Sequence, residues 1–335
     1  MKRITTNGLA FLLLTLFVAA CGQHDKSKND KKQGQAEEST KKIEVPEFNA
    51  DSAYKFMEEQ VAFGPRVPNS PAHARCAEYL VNAMKRFTPY VEVQTFKARA
   101  FDKSALNGKN IISSFNPEKT QRILLAAHWD SRPFADHDPD PEKRDDPIPG
   151  ANDGASGVGV LMEIARQLSM KSPDVGVDII FFDLEDYGQP QTMQANAMDD
   201  WALGSQYWSR NPHRLNYRAK YGILLDMVGA KGAVFHKEGF SMFYAHFIVD
   251  KVWEIAHEIG YGAYYPMQSS GSIIDDHYYV NKIARIPMIN IIHYYSGSKS
   301  GFFREWHTTY DSMDNIDKDV LKAAGQVVLA VVYRE

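Results

Sequence analysis

The chain has 335 residues, 44% of them hydrophobic, and its 38 basic against 42 acidic residues leave a net charge of −4. That apolar share is ordinary for a globular protein and supports a sizeable core. The acidic balance excludes the basic footprint of a nucleic-acid binder, and 2 cysteines, Cys21 and Cys76, are too few for a disulfide scaffold.

In chain order, Met1-Lys2-Arg3 gives a basic start and Leu9 to Ala20 an apolar run too short to span a membrane. The run ends Val18-Ala19-Ala20-Cys21, the small-residue pattern that precedes a lipid-modified cysteine. The expectation is a lipoprotein signal peptide over 1–21, with Cys21 anchoring the chain in a bacterial cell envelope, on the periplasmic or surface side. Residues 22–45 are polar and charged and read as a flexible tether. Residues 46–335 then form a single catalytic α/β domain. Hydrophobic periodicity predicts helices over 50–61, 70–87, 154–170, 241–260 and 317–334. It predicts strands over 90–98, 110–115, 122–127, 177–182, 221–227 and 286–292. Such alternation gives a three-layer α/β/α sandwich around a central mixed, largely parallel sheet. Cys76 falls on the apolar face of the second helix and reads as a small buried residue. Two long loops, 132–149 and 188–200, stand out as functional segments.

Ionisable residues at the ends of apolar strands carry the chemistry. His128 and Asp130 follow one strand, Glu185 and Asp186 another, and Asp226 a third, with Asp153, Asp275, His277 and His307 in the loops. Burying such groups unpaired costs on the order of several kcal/mol. Their repetition therefore points to one metal site at the carboxyl edge of the sheet, where open α/β sheets bind ligands. A catalytic zinc takes three protein ligands and keeps one position open. Asp153, Asp186 and His307 supply two carboxylates and an imidazole, and Glu185 beside Asp186 is placed to act as a base. Each has a plainer reading when taken alone. Asp153 would be a turn or cap residue, Glu185-Asp186 a solvated turn, and His307 a packed corner beside Trp306. The acidic run Asp136, Asp138, Asp140, Asp145 and Asp146 reads as a solvated loop rather than a calcium site.

The order HWDS, GANDGASGV, FFDLED, LLDMVGA and WHTTYDSMDNID resembles the zinc aminopeptidase-like metallopeptidases. Within them it is most similar to the glutaminyl-peptide cyclotransferases of the animal type, found also in some bacteria. The resemblance runs from AFGPRVPNSPAHARCAEYL to the last helix. It implies one zinc per chain on Asp153, Asp186 and His307, with Glu185 as general acid and base. Asp226 and Asp275 would form the hydrogen-bond network beside it. Trp306 and Trp201 would line the pocket for a glutamine side chain, with Phe302 and Ile273 as apolar wall. Asp186 replaces the glutamate of the animal enzymes, Asn290 stands where they have a histidine, and their disulfide near the site is absent. The implied reaction is zinc-dependent cyclisation of the N-terminal glutamine of peptides or proteins to pyroglutamate, with release of ammonia, by a monomer. The alternative is a di-zinc aminopeptidase, its second metal on His128 and Asp226 with Asp153 bridging.

Overall fold

One mixed sheet organises the catalytic domain. The computed structural model describes residues 44–190, 193, 199–295 and 300–335. Cys21, the signal segment and the tether up to residue 43 lie outside the described residues, as does most of 191–198. The strands are β1 (Val91–Arg99), β2 (Ala105–Phe115), β3 (Arg122–His128), β4 (Gly176–Phe182), β5 (Tyr221–Asp226) and β6 (Met288–Ile292). Their spatial order is β1-β2-β4-β3-β5-β6. β4, β3, β5 and β6 pair in parallel, and β2 adds antiparallel to β4 with β1 antiparallel outside it. The carboxyl ends of four strands thus share one edge.

Alternation along the strands sets the layers. In β3, Ile123, Leu125 and Ala127 enter one core, while Leu124 and Ala126 enter the other. The larger core is covered by α1 (Ala50–Val61), α2 (Pro71–Met84), α3 (Ala155–Met170), α5 (Gly239–Glu258) and α7 (Lys318–Tyr333). The smaller is closed by α4 (Leu203–Arg210) and by the π-helical turn Val280–Ala284 that continues α6 (Asp276–Tyr279), through Trp208, Val280 and Ile286. The sandwich expected from the sequence is therefore present, with one thick helical layer and one thin. Helix starts follow their caps: Asn49 accepts from Ser52 N, Ser70 from His73 N and Asp317 from Asp319 N.

Three differences have local causes. β2 begins at Ala105, five residues before the predicted start, because its polar first half pairs only with the exposed edge strand β1. β6 begins at Met288, since Pro287 cannot donate to the ladder, although its carbonyl accepts from Gly222 N at 2.8 Å. Helix α4 has no side-chain cap and starts after Ala202 in a left-handed conformation, so no capping signal announced it. Asp178, the one acid inside the β4 run, is a structural group. Both its oxygens meet Arg122, at 2.6 and 2.7 Å, and Ser114 and Tyr217 add hydroxyl donors.

Candidate active site and metal centre

The loops after β3, β4 and β5 meet the N-terminal end of α3. Close approach of α3 to the sheet depends on Gly157, where a Cβ would lie 2.2 Å from Leu225 O. Gly154, at φ +90, ends the preceding turn, and a Cβ there would strike Asp130 O and His128 at 2.8 Å. The glycines of GANDGASG therefore press Asp153 against the strand ends. There, the ligating atoms of Asp153, Asp186 and His307 lie within 4.8 Å of one another, all three residues buried. His307 Nε2 is 3.4 Å from Asp186 Oδ1 and 3.7 Å from Asp153 Oδ2. Asp186 Oδ2 is buried with no protein partner. Two carboxylates, one imidazole and an orphaned buried oxygen facing a pocket fit a zinc ion with one open position.

A second cluster adjoins it. His128 Nε2 lies 3.1 Å from Asp153 Oδ1 and 3.2 Å from Asp226 Oδ1, and the three residues form a second potential metal group. His128 is buried beneath Asp153 and does not line the pocket.

Residues that the sequence reading left without a role hold this edge in place. The Asp130 carboxylate accepts from Glu185 N at 3.1 Å and from Asp186 N at 3.2 Å. Asp311 does the same for Asn152 N and Asp153 N, at 2.8 and 3.0 Å. Burial and the negative charge of Asp153 push Asp311 up to about 8, against its two amide donors. Each backbone segment bearing a candidate carboxylate ligand is thus gripped by a second carboxylate behind it. Asp136 Oδ1 stands 3.2 Å from His307 Nδ1, a charge contact without the alignment of a hydrogen bond, while Nε2 faces Asp153 and Asp186. This corrects the solvated-loop reading for part of the acidic run. Asp136 faces His307 and Arg132, and Asp138 is buried against Thr309, whereas Asp145 and Asp146 are exposed as expected. Leu184, Met227, Ala202 and His307 all adopt positive φ around the site, a concentration of backbone strain characteristic of functional edges.

The pocket over the candidate metal group has a volume of about 540 Å³ and is lined by Glu185, Asp226, Asp275, Trp201, Trp306, Phe302 and Ile273 together with Asp153, Asp186 and His307. Every predicted pocket residue is there, with Gln189, Met193, Asp200 and Ile274 in addition. His307 lies between two indoles. Trp306 stacks on it at 3.6 Å between centroids and Trp201 lies parallel at 6.3 Å, while Phe302 backs Trp306 at 4.3 Å. Burial pushes Glu185 well above the usual carboxylate range. His128 pulls it down, and Asp275, Asp186 and Asp276 push it further up. Burial likewise raises Asp226 to about 7 against its contact with His128, and raises Asp275. These carboxyls cannot all ionise together and must share protons.

The expected network runs differently in detail. Asp226 engages His128, and Asp275 accepts from Asn290 Nδ2 at 2.6 Å, so Asp275 acts on Glu185 through charge. The residue at the departing position, Asn290, is thereby the anchor of Asp275. His277 points away from the metal ligands and meets Glu238 Oε2 at 2.9 Å. Cys76 is free and buried, and burial pushes its thiol up to about 12, as suits an inert core residue.

Residues 110–332 match the model of peptidase family M28. The chain belongs to this family. Among solved M28-like folds, a glutaminyl cyclase from Tannerella forsythia is 52% identical, with a TM-score of 0.85, over 87% of this chain and 100% of that one. A Zn-dependent exopeptidase from Parabacteroides distasonis is 54% identical, with a TM-score of 0.86 and the same coverage. The glutaminyl-peptide cyclotransferase of Bos taurus is 25% identical over 80% of this chain and 77% of its own length. Aminopeptidase YwaD of Bacillus subtilis is 28% identical over 71% of this chain, which spans only 47% of that protein. Zinc is the metal of this M28 chain, and Asp153, Asp186 and His307 are the group whose geometry and orphaned oxygen suit it best.

Proposed function

We propose that this M28 chain converts the N-terminal glutamine of peptides and proteins into pyroglutamate and releases ammonia. The observation that carries this reading is the pocket itself. The three-residue metal group Asp153, Asp186 and His307 lies wholly in the lining of a cavity walled by Trp201, Trp306 and Phe302, with Glu185 beside it. The likeness to a glutaminyl cyclase at 52% identity over that whole chain supports it.

Zinc on Asp153, Asp186 and His307 supplies a Lewis acid that polarises the side-chain amide carbonyl of the glutamine. The protein does the rest by holding and moving protons. The aromatic walls fold the glutamine so that its α-nitrogen faces its own γ-carbonyl, and a nucleophile carried in the same molecule needs only this near-attack geometry. Glu185 takes a proton from the α-ammonium. The free amine forms the new C–N bond, and the old amide C–N bond breaks. Glu185 returns that proton to the departing nitrogen, which leaves as ammonia, and the second proton of the new ring nitrogen passes through Glu185 to solvent. Because no water is consumed, a pocket that excludes it favours ring closure over hydrolysis. Burial and the surrounding acids raise the basicity of Glu185 and suit it to both steps. The test is ammonia release from a peptide beginning in glutamine, set against the same peptide beginning in leucine. Ammonia from the first alone supports the reading, and none from either refutes it.

A second reading has one observation in its favour. His128, Asp153 and Asp226 form an adjacent metal group, as a two-metal aminopeptidase would need. That reading requires release of the first residue from the leucine peptide. We also propose, from the sequence of the first 21 residues, that Cys21 carries lipid and holds the enzyme at the cell envelope. Labelling with a fatty-acid probe, lost on Cys21→Ala, tests the anchor.

A further inference from the structure

Arg132 is fully buried beside the metal ligands. Its Nε and Nη2 donate to the two oxygens of Asp136 at 2.7 and 2.9 Å. Its Nη1 donates to the carbonyls of Asp186 and Gly188 at 3.1 and 3.2 Å and lies 3.5 Å from Asp186 Oδ1. The guanidinium Cζ lies over the Trp201 ring, 4.8 Å from its centre. The indole is also pressed against the chain at Gly188, where a Cβ would lie 2.1 Å from its ring atoms. One cation therefore touches the ligand Asp186, steadies the ligand His307 through Asp136, and backs an aromatic wall of the pocket.

We propose that Arg132 is a positioning residue that couples the metal centre to the substrate wall, so that loosening it weakens both zinc binding and peptide binding. The chemistry is specific to arginine. Five donors in a rigid planar fork can grip Asp136 in two places, reach two carbonyls and still present a face to an indole. A lysine keeps the charge and loses the fork and the stacking face. Partners that orient metal ligands from behind are worth about 10–100-fold in metal affinity. A buried cation stacked on an indole is worth roughly fivefold to thirtyfold in whatever depends on the position of that indole.

This inference rests on the reading of Asp153, Asp186 and His307 as zinc ligands and of Trp201 as pocket wall. The experiment compares wild type, Arg132→Lys and Asp136→Asn. Zinc affinity is measured by chelator competition without turnover, and KM and kcat for a glutamine peptide are measured at saturating zinc. Both variants are expected to bind zinc about 10–100-fold more weakly. Both should also raise KM at saturating zinc, roughly fivefold or more for Arg132→Lys, with a smaller change in kcat. Asp136 does not line the pocket. A KM rise in Asp136→Asn therefore reports the coupling, and that variant carries the test should Arg132→Lys fail to fold. In a Trp201→Phe background, Arg132→Lys should add little further loss in KM. Wild-type zinc affinity in both variants overturns the proposal, and so does an unchanged KM in Asp136→Asn or full additivity with Trp201→Phe. A wild-type protein that binds zinc but releases no ammonia would refute the cyclase reading instead, leaving the zinc comparison intact.

Discussion

Glu238 offers a perturbation whose size can be worked out. Its carboxylate starts α5, accepting from Phe240 N at 2.8 Å and Ser241 N at 2.7 Å. It also accepts from Ile273 N at 2.9 Å and meets His277 Nε2 at 2.9 Å. One buried group thus ties a helix to the loop that carries Ile273 and Asp275 into the pocket. Burial pushes Glu238 upward, but His277 and the amide donors outweigh it and hold it at about 2, against an ordinary 4.5. His277 is raised in turn by Glu238, against its own burial. At about 1.4 kcal/mol per pH unit, the depression of Glu238 corresponds to roughly 3 kcal/mol of stability. Because the folded value is depressed, this stability is fully present above pH 4.5 and fades as pH falls toward about 2. The raised His277 contributes below its ordinary 6.5 and loses its share as pH rises past that value. The pair therefore counts most between pH 4.5 and 6.5. Glu238→Gln keeps the shape and removes the charge, leaving a buried His277 without its partner. The expected loss near pH 6 is about 3 kcal/mol, or about 6–12 °C in Tm for a domain of this size. Melting curves of both proteins from pH 6 to pH 3 measure it. The gap between them should be widest near pH 6 and shrink on acidification. A gap below about 1 °C at pH 6, or one that widens as the solution is acidified, would refute the reasoning.

Other expectations follow from the same structure. Glu185→Gln should retain zinc and lose turnover by about 100-fold to 10,000-fold; a zinc-loaded variant near the wild-type rate would remove Glu185 from its role. His307→Ala should lose zinc on dialysis, as metal analysis reports, and stoichiometric metal in that variant would exclude it as a ligand. Gly157→Ala places a Cβ 2.2 Å from Leu225 O, so denaturant melts should show a loss of about 1–3 kcal/mol; unchanged stability would mean that α3 can shift outward freely.

What the sequence disclosed and what it hid divide along physical lines. The parallel strands were legible because their burial on both faces leaves continuous apolar runs. The candidate ligands stood out because charged groups are rare at the ends of such runs. The residues behind them were not. A carboxylate that accepts backbone amides, as Asp130 and Asp311 do, looks in sequence like any loop acid. Asp136 was hidden among five acids in a proline-rich stretch, and only the fold turns it toward His307 while Asp145 and Asp146 face solvent. Glu238 escaped notice because glutamate is not a favoured helix cap. Its reach to His277 depends on a loop more than thirty residues away, with a separation of 39. Helix α4 lacked a side-chain cap and is only eight residues long, and its place is set by Gly204 packing on Asp183. Trp201 and Trp306 could be placed at the pocket only by resemblance, since a tryptophan in a loop is equally compatible with packing.

The central claim is ring closure on zinc in this pocket. Its most direct measurement is the mass spectrum of a glutamine-initiated peptide after incubation with the purified catalytic domain, stripped of zinc and then reconstituted. The account predicts loss of one ammonia with the peptide chain otherwise intact, only when zinc is restored, and no change in a leucine-initiated peptide. A free N-terminal amino acid released from either peptide would contradict it and move the chemistry to a two-metal centre at His128, Asp153 and Asp226.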